Sequence, residues 1–159
     1  MIDNTGALIS AAVTEVFSTM LNMQMLAVPA DECVFAGEPQ IASAVGFTGR
    51  LSGVAYLYTT TRFAGRITRG LIGLDATEVA TDEMVNDAMG EMANMVVGQF
   101  KSRLVDRGYP CVMTIPSIVR GSQFGIEAVS ETNVDRLGFR SNGNLLLVEL
   151  LLRGGNELT

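Results

Sequence analysis

Between positions 81 and 108 the chain carries the start signal, the periodicity and the stop signal of one long helix, and any fold it adopts must accommodate that helix. Thr81 is placed to cap the N-terminus, and the charges of Asp82 and Glu83 suit the positive end of a helix dipole. Lys101, Arg103 and Arg107 suit the negative end, and Gly108 and Pro110 close the segment. At about 100° per residue, Val85, Met89, Met92, Ala93, Val96 and Phe100 gather on one broad face. Asp87, Glu91 and Asn94 fall within roughly 60° of one another on the opposite face, flanked by Gly90, Gly98 and Lys101. A glycine inside an exposed helix face costs about 1 kcal/mol relative to alanine. Two of them beside a polar triplet leave two readings open. Either something approaches the backbone there, or the face is an ordinary solvated one whose glycines admit a neighbouring helix.

The rest of the chain reads as a mixture of helix and strand. Thr5–Leu21 is predicted as a first amphipathic helix, with Leu8, Ile9, Ala12, Val13, Val16, Phe17, Met20 and Leu21 on its apolar side. Residues 22–44, broken by Pro29 and Pro39, hold a short strand near 23–28 and a connecting segment. Consecutive strands follow at 44–51 and 53–59, with a tight turn at Arg50-Leu51-Ser52-Gly53. A helix at 60–73, capped by Thr60 or Thr61, buries Phe63, Ile67 and Leu71. Its Arg62, Arg66 and Arg69 form either a solvated face or a contact for an acidic partner.

Beyond the long helix, residues 111–119 read as a strand interrupted by Pro116, which places it at an edge or at a local irregularity. Arg120-Gly121-Ser122-Gln123 reads as a turn, 124–129 as its returning strand and 130–135 as loop. A last hairpin joins 137–140 to Asn144–Arg153 through Ser141-Asn142-Gly143, where Asn-Gly is a strong turn signal. Residues 145–152 are apolar on both faces except for Glu149, so the strand is either central or covered in an assembly. Gly46-Phe47 and Gly138-Phe139 each precede a hairpin, a faint sign of two similar halves. The expected fold is α+β: an antiparallel-rich β-sheet with the first and third helices, the two long ones, packed on one face. A chain of 159 residues is expected to form a single domain.

Composition narrows the chemistry. There is no histidine, which removes His bases, His metal ligands and Ser/His or Cys/His triads. Cys33 and Cys111 lack the paired spacing of a zinc site and read as buried thiols, with a disulfide as the alternative. A net charge of −6 argues against nucleic acid as partner. The opening residues lack the positive charge and apolar run of a signal peptide, and no apolar run approaches the ~20 residues of a membrane span, so a cytoplasmic location is expected.

The stretch Asp87-Ala88-Met89-Gly90-Glu91-Met92-Ala93-Asn94 resembles the D/S-x3-E-x2-N signature of the CheC, CheX and FliY phosphatases of bacterial chemotaxis. The continuation Asn94-Met95-Val96-Val97-Gly98 is similar as well. The resemblance to CheX extends to Ala12-Val13-Thr14-Glu15-Val16-Phe17-Ser18-Thr19-Met20-Leu21 and to Ile115-Pro116-Ser117-Ile118-Val119-Arg120-Gly121, so it covers nearly the whole chain. CheC-type members commonly carry two motifs. Here the first helix has Ser10, Thr14 and Phe17 where a second would need Glu and Asn, which favours CheX.

The resemblance implies a CheC-like fold and a phosphatase acting on a phosphorylated response regulator of the CheY type. In that setting Asn94 orients the attacking water and Glu91 pairs with the regulator's lysine. Asp87 supports the exposed start of the face, and Gly90 and Gly98 let the two backbones approach. Mg²⁺ is expected on the regulator, with no cofactor or metal of the chain's own, and a homodimer is expected from CheX relatives that pair. The alternative is a non-catalytic binding or adaptor module of the chemotaxis or flagellar-switch machinery.

Overall fold

The computed structural model describes residues 4–75, 77–122 and 132–153. Helix α1 (Thr5–Leu21) is followed by the short strand β1 (Leu26–Val28), a 3-10 turn at Ala30–Glu32, and the hairpin of β2 (Gln40–Gly49) and β3 (Gly53–Thr60). Helices α2 (Thr61–Ile72) and α3 (Asp82–Asp106) come next, then β4 (Cys111–Met113), β5 (Ser117–Gly121), β6 (Thr132–Ser141) and β7 (Asn144–Arg153). The strands form one seven-stranded sheet in the order β1-β6-β7-β3-β2-β4, with β5 also on β2. All the pairs are antiparallel. Among the described residues no helix is long and apolar enough to cross a membrane.

The two hairpins set the middle of the sheet. In β6–β7 the turn falls at Asn142 and Gly143, both at positive φ (48° and 78°), the backbone that a tight two-residue hairpin needs. β7 is flanked by β6 on one side and β3 on the other, so it is a central strand of this chain. Its alternation then has a direct reading. Leu146, Val148, Leu150 and Leu152 point into the main core, and Leu145 and Leu147 join a smaller cluster with Phe35, Ala42, Tyr56 and Tyr58 on the other face. Glu149 shares that second face and is almost fully buried, yet its Oε2 lies 2.6 Å from Nε of Arg136, its cross-strand partner. Burial, and then the Glu149 carboxylate nearby, push the Tyr58 phenol well above its ordinary pKa, which keeps it neutral.

All three helices cover one face of the sheet. Ile9, Val13 and Phe17 of α1, Phe63 and Ile67 of α2, and Val85, Met89, Met92, Val96, Phe100 and Leu104 of α3 share one buried cluster with Ile41, Val45, Phe47, Leu57 and Val148. The Phe100 ring meets Phe47 edge-on, with centroids 5.5 Å apart. The two long helices thus pack on one face as expected, with α2 beside them. Thr60 is the residue that caps α2, its Oγ1 accepting from the Phe63 N–H at 3.1 Å.

Three boundaries differ from the sequence reading. β2 starts at Gln40 rather than at 44, immediately after Pro39, and its first residues are held between β3 and β5. β5 runs on to Gly121, so Arg120 is a strand residue and not part of a turn. β6 begins at Thr132, although 130–135 reads as loop. Its polar first half has no second strand partner among the described residues, since β1 pairs with Gly138, Phe139 and Arg140, and polar side chains suit a strand edge. The strand expected at 124–129 lies outside the described residues. Pro116 does sit at an irregularity, the break between β4 and β5 along the same edge of β2.

Truncating Phe100 removes a fully buried ring at the centre of this arrangement. Phe100→Ala should lower the unfolding free energy by about 3–5 kcal/mol, whereas Val105→Ala, at an exposed position of the same helix, should stay within ~0.5 kcal/mol. Urea denaturation of the two variants checks the difference.

Candidate functional site

The polar stripe of α3 is what the fold leaves uncovered. The helix starts at Thr81, whose Oγ1 accepts from the Met84 N–H at 3.2 Å, while its own N–H reaches the Met84 sulfur at 3.4 Å. The first turn is also tied to the sheet edge. Arg120 of β5 donates from Nε to Asn86 Oδ1 at 2.9 Å and from Nη2 to the Asp82 carbonyl at 3.1 Å, with Nη1 3.6 Å from the Asp82 carboxylate. Further along, Arg103 Nη2 donates to Glu15 Oε2 of α1 at 2.7 Å. Sequence reasoning missed the role of Arg120, because its partners lie more than thirty positions away (34 to Asn86) and nothing local marks it.

Asp87 and Glu91 are exposed and Asn94 is half-buried. Helical arithmetic sets them on one stripe, with Glu91 and Asn94 offset by about 4.5 Å along the axis and about 60° around it. Gly98, four residues after Asn94, continues the stripe, and a Cβ built on it would meet nothing within 4 Å. Nothing in the described chain therefore requires a glycine there. Gly90 differs. It is buried, and a Cβ on it would lie 3.3 Å from Cγ of Pro116, so the neighbour that crowds this glycine belongs to the same chain. Lys101 is half-buried at the far end of the stripe.

A carboxylate and an amide on a convex helix surface do not enclose a small substrate. Neither thiol offers a nucleophile: burial pushes Cys111 up, with Lys101 opposing, and burial likewise raises Cys33. Among the described residues no group of three or more His, Cys, Asp or Glu is placed to hold a metal ion. What remains is a rigid polar edge able to enter a site that another molecule supplies.

The two glycines should respond oppositely to a methyl group. Gly98→Ala gains helix propensity without a clash and should raise stability by up to about 1 kcal/mol. Gly90→Ala forces the Pro116 ring to give way and should gain less, or lose. Thermal melts of both decide it, and equal gains would mean that the Pro116 segment yields freely.

A family model described as chemotaxis phosphatase CheX matches residues 41–139, more than half of the chain, and includes all of α3. No curated protein sequence matches by direct comparison. Solved structures do. A chemotaxis protein CheX from Desulfovibrio desulfuricans is 25% identical, with a TM-score of 0.77 over 93% of this chain and 98% of that one. CheX from Vibrio vulnificus is 21% identical, with a TM-score of 0.79 over 94% and 96%. CheX in the CheX–CheY–BeF3–Mg²⁺ complex from Borrelia burgdorferi is 20% identical, with a TM-score of 0.74 over 95% and 99%. The family model covers more than half of the chain, and these structures share its three helices on one face of an antiparallel sheet: this chain belongs to the CheX family of chemotaxis phosphatases.

Proposed function

We propose that this protein accelerates hydrolysis of the aspartyl phosphate on a CheY-type response regulator, using Glu91 and Asn94. The observation that carries the reading is their placement: Glu91 is exposed and Asn94 half-buried on one stripe of α3, a helix whose opposite face is enclosed in the core. A relative of the same fold occurs in complex with CheY, BeF3 and Mg²⁺.

The division of labour follows from the chemistry. Hydrolysis of an acyl phosphate needs a water in line with the bond to be broken and charge stabilisation around the transferring group. Water attacks phosphorus, the bond from phosphorus to the aspartyl oxygen breaks, and inorganic phosphate leaves with the carboxylate restored. Asn94, with one carbonyl and one NH₂ on its side-chain amide, orients the water without a pKa of its own. Glu91, one turn away, pairs with the regulator's lysine and fixes the docked register. Asp87 extends the polar edge toward the helix start, and Gly98 allows close approach of the partner backbone. Gly90 serves the same approach indirectly, by letting Pro116 close in beside the stripe. Mg²⁺ belongs to the regulator in this reading, since Asp87 and Glu91 alone make a sparse site.

Two copies of the chain are proposed to pair. The doubly apolar strand at 145–152 needs no assembly to cover it, because β3 and β6 flank β7. The support is instead the sheet face away from the helices, where Tyr56, Leu145 and Leu147 are only half-buried and Val119 is exposed. Sedimentation at micromolar concentration should give about twice the 17.0 kDa of one chain.

Kinetics separate the two motif residues. Asn94→Ala should lower kcat by about a hundredfold or more while leaving affinity for the regulator largely intact. Glu91→Ala should raise KM as well, since removing one partner of a desolvated charge pair costs about 2–5 kcal/mol. Full activity in Asn94→Ala would overturn the catalytic assignment in favour of an adaptor. Equal loss of binding in both variants would make Asn94 a docking residue.

A further inference from the structure

The break between β4 and β5 holds the most exposed large apolar side chain among the described residues, Ile115, at 85%. Both of its neighbours are fixed. The Thr114 N–H donates to the Gly46 carbonyl at 2.9 Å, the Gly46 N–H donates to Thr114 Oγ1 at 2.9 Å, and that hydroxyl donates to the Ile115 carbonyl at 3.2 Å. On the other side the Pro116 ring rests against Gly90 of α3. A residue before proline is confined to extended backbone. The backbone that carries Ile115 is therefore fixed on both sides, and its side chain is open to solvent.

Its height along α3 can be read from three tie points. Cys111 lies close enough to Lys101 for the lysine charge to act on its thiol. Pro116 touches Gly90, and Arg120 reaches Asn86 and Asp82. The strand edge thus runs antiparallel to α3, and Ile115 falls beside the turn from Gly90 to Asn94. Gly90 and Asn94 are four apart and share a side of the helix. Ile115, next in the chain to Pro116, accordingly lies on the flank of α3 that Pro116 closes, at about the level of the Gly90–Asn94 turn.

We infer that Ile115 is an apolar docking contact for the receiver domain of the same regulator, seated against it when Asn94 enters the phosphorylated site. This rests on the function proposed above and adds to it a second, non-polar anchor outside the motif. The occupant follows from continuity, because a domain that brings a phosphoryl group to Asn94 must lie over the adjacent bulge. A β-branched side chain on a fixed backbone has few rotamers to lose on binding, and apolar anchors around a polar centre keep water out of it.

The test compares Ile115→Ser, Ile115→Leu and a control, Val112→Ser. Val112 is also highly exposed (71%), but it pairs with Thr48 and lies away from the helices, on the face proposed for pairing of two copies, so it separates an effect on self-association from one on docking. The substrate is a CheY-type receiver domain phosphorylated with acetyl phosphate, and binding is measured with the same domain carrying BeF3 and Mg²⁺. Ile115→Ser should raise KM and the dissociation constant about tenfold with kcat and Tm unchanged. Ile115→Leu should recover most of the affinity, and Val112→Ser should behave as wild type. Unchanged KM and affinity in Ile115→Ser, beside an active wild type, would overturn this inference alone. So would a loss in Val112→Ser as large as that in Ile115→Ser, or a variant that changes only self-association. A wild-type protein that neither binds the receiver nor speeds its dephosphorylation would overturn the proposed function and this inference together.

Discussion

The burial of α3 over most of its circumference governs the rest of the molecule. Met89, Met92, Val96, Val97, Phe100 and Leu104 are fully enclosed, and even Ala88 and Gly90, nearer the polar side, are buried. A helix with glycines in its interior is a poor helix by propensity, and isolated helices draw little stability from their own hydrogen bonds. Here the stability comes from outside, through the sheet at Phe47, α1 at Arg103–Glu15 and β5 at Arg120. The same enclosure makes the uncovered stripe useful. Side chains on a helix clamped along its length keep their mutual spacing, and a site that acts by positioning depends on that spacing.

The sheet meets a related demand. A strand apolar on both faces has to be interior, and β7 reaches that position by folding back on β6 through Asn142-Gly143 and pairing with β3. Glu149 is the exception on this strand. Its carboxylate is buried, and Arg136 directly across the ladder, with Tyr58 close by, compensates for the lost water. Toward the outside the character changes. Thr132, Asn133, Asp135 and Arg136 make the first half of β6 too polar to read as a strand, which is what its position near the sheet edge calls for.

Membership of the CheX family and the exposure of the stripe rest on different observations. The family match rests on the chain from 41 to 139, which includes α3 but leaves out α1 and all of β7. The exposure of Glu91 and the open space at Gly98 are properties of how those elements pack. Phosphoryl transfer to water asks little covalent chemistry of a protein. An arrangement with no histidine, no activated thiol and no metal cluster among the described residues is thus compatible with a catalyst whose partner carries the reactive centre.

The sequence by itself determined everything that depends on near neighbours. The cap at Thr81, the choice of Thr60 or Thr61 for α2, the apolar stripes of α1 and α3, the Asn142-Gly143 turn and the Glu91/Asn94 stripe are all set within a few residues, and the chain spells them out. The central place of β7 followed from its composition, but only as one of two alternatives until β3 and β6 were seen on either side of it. Other features were decided by tertiary structure. Gly90 and Gly98 look alike in the sequence, yet one is crowded by Pro116 and the other faces open space. Arg120 reads as a turn residue and is instead the anchor of the first turn of α3. The polar start of β6 is strand because β7 pairs with it, whatever its own propensity. In each of these cases the deciding partner is far away in the chain, and contacts between distant segments leave no local periodicity to read.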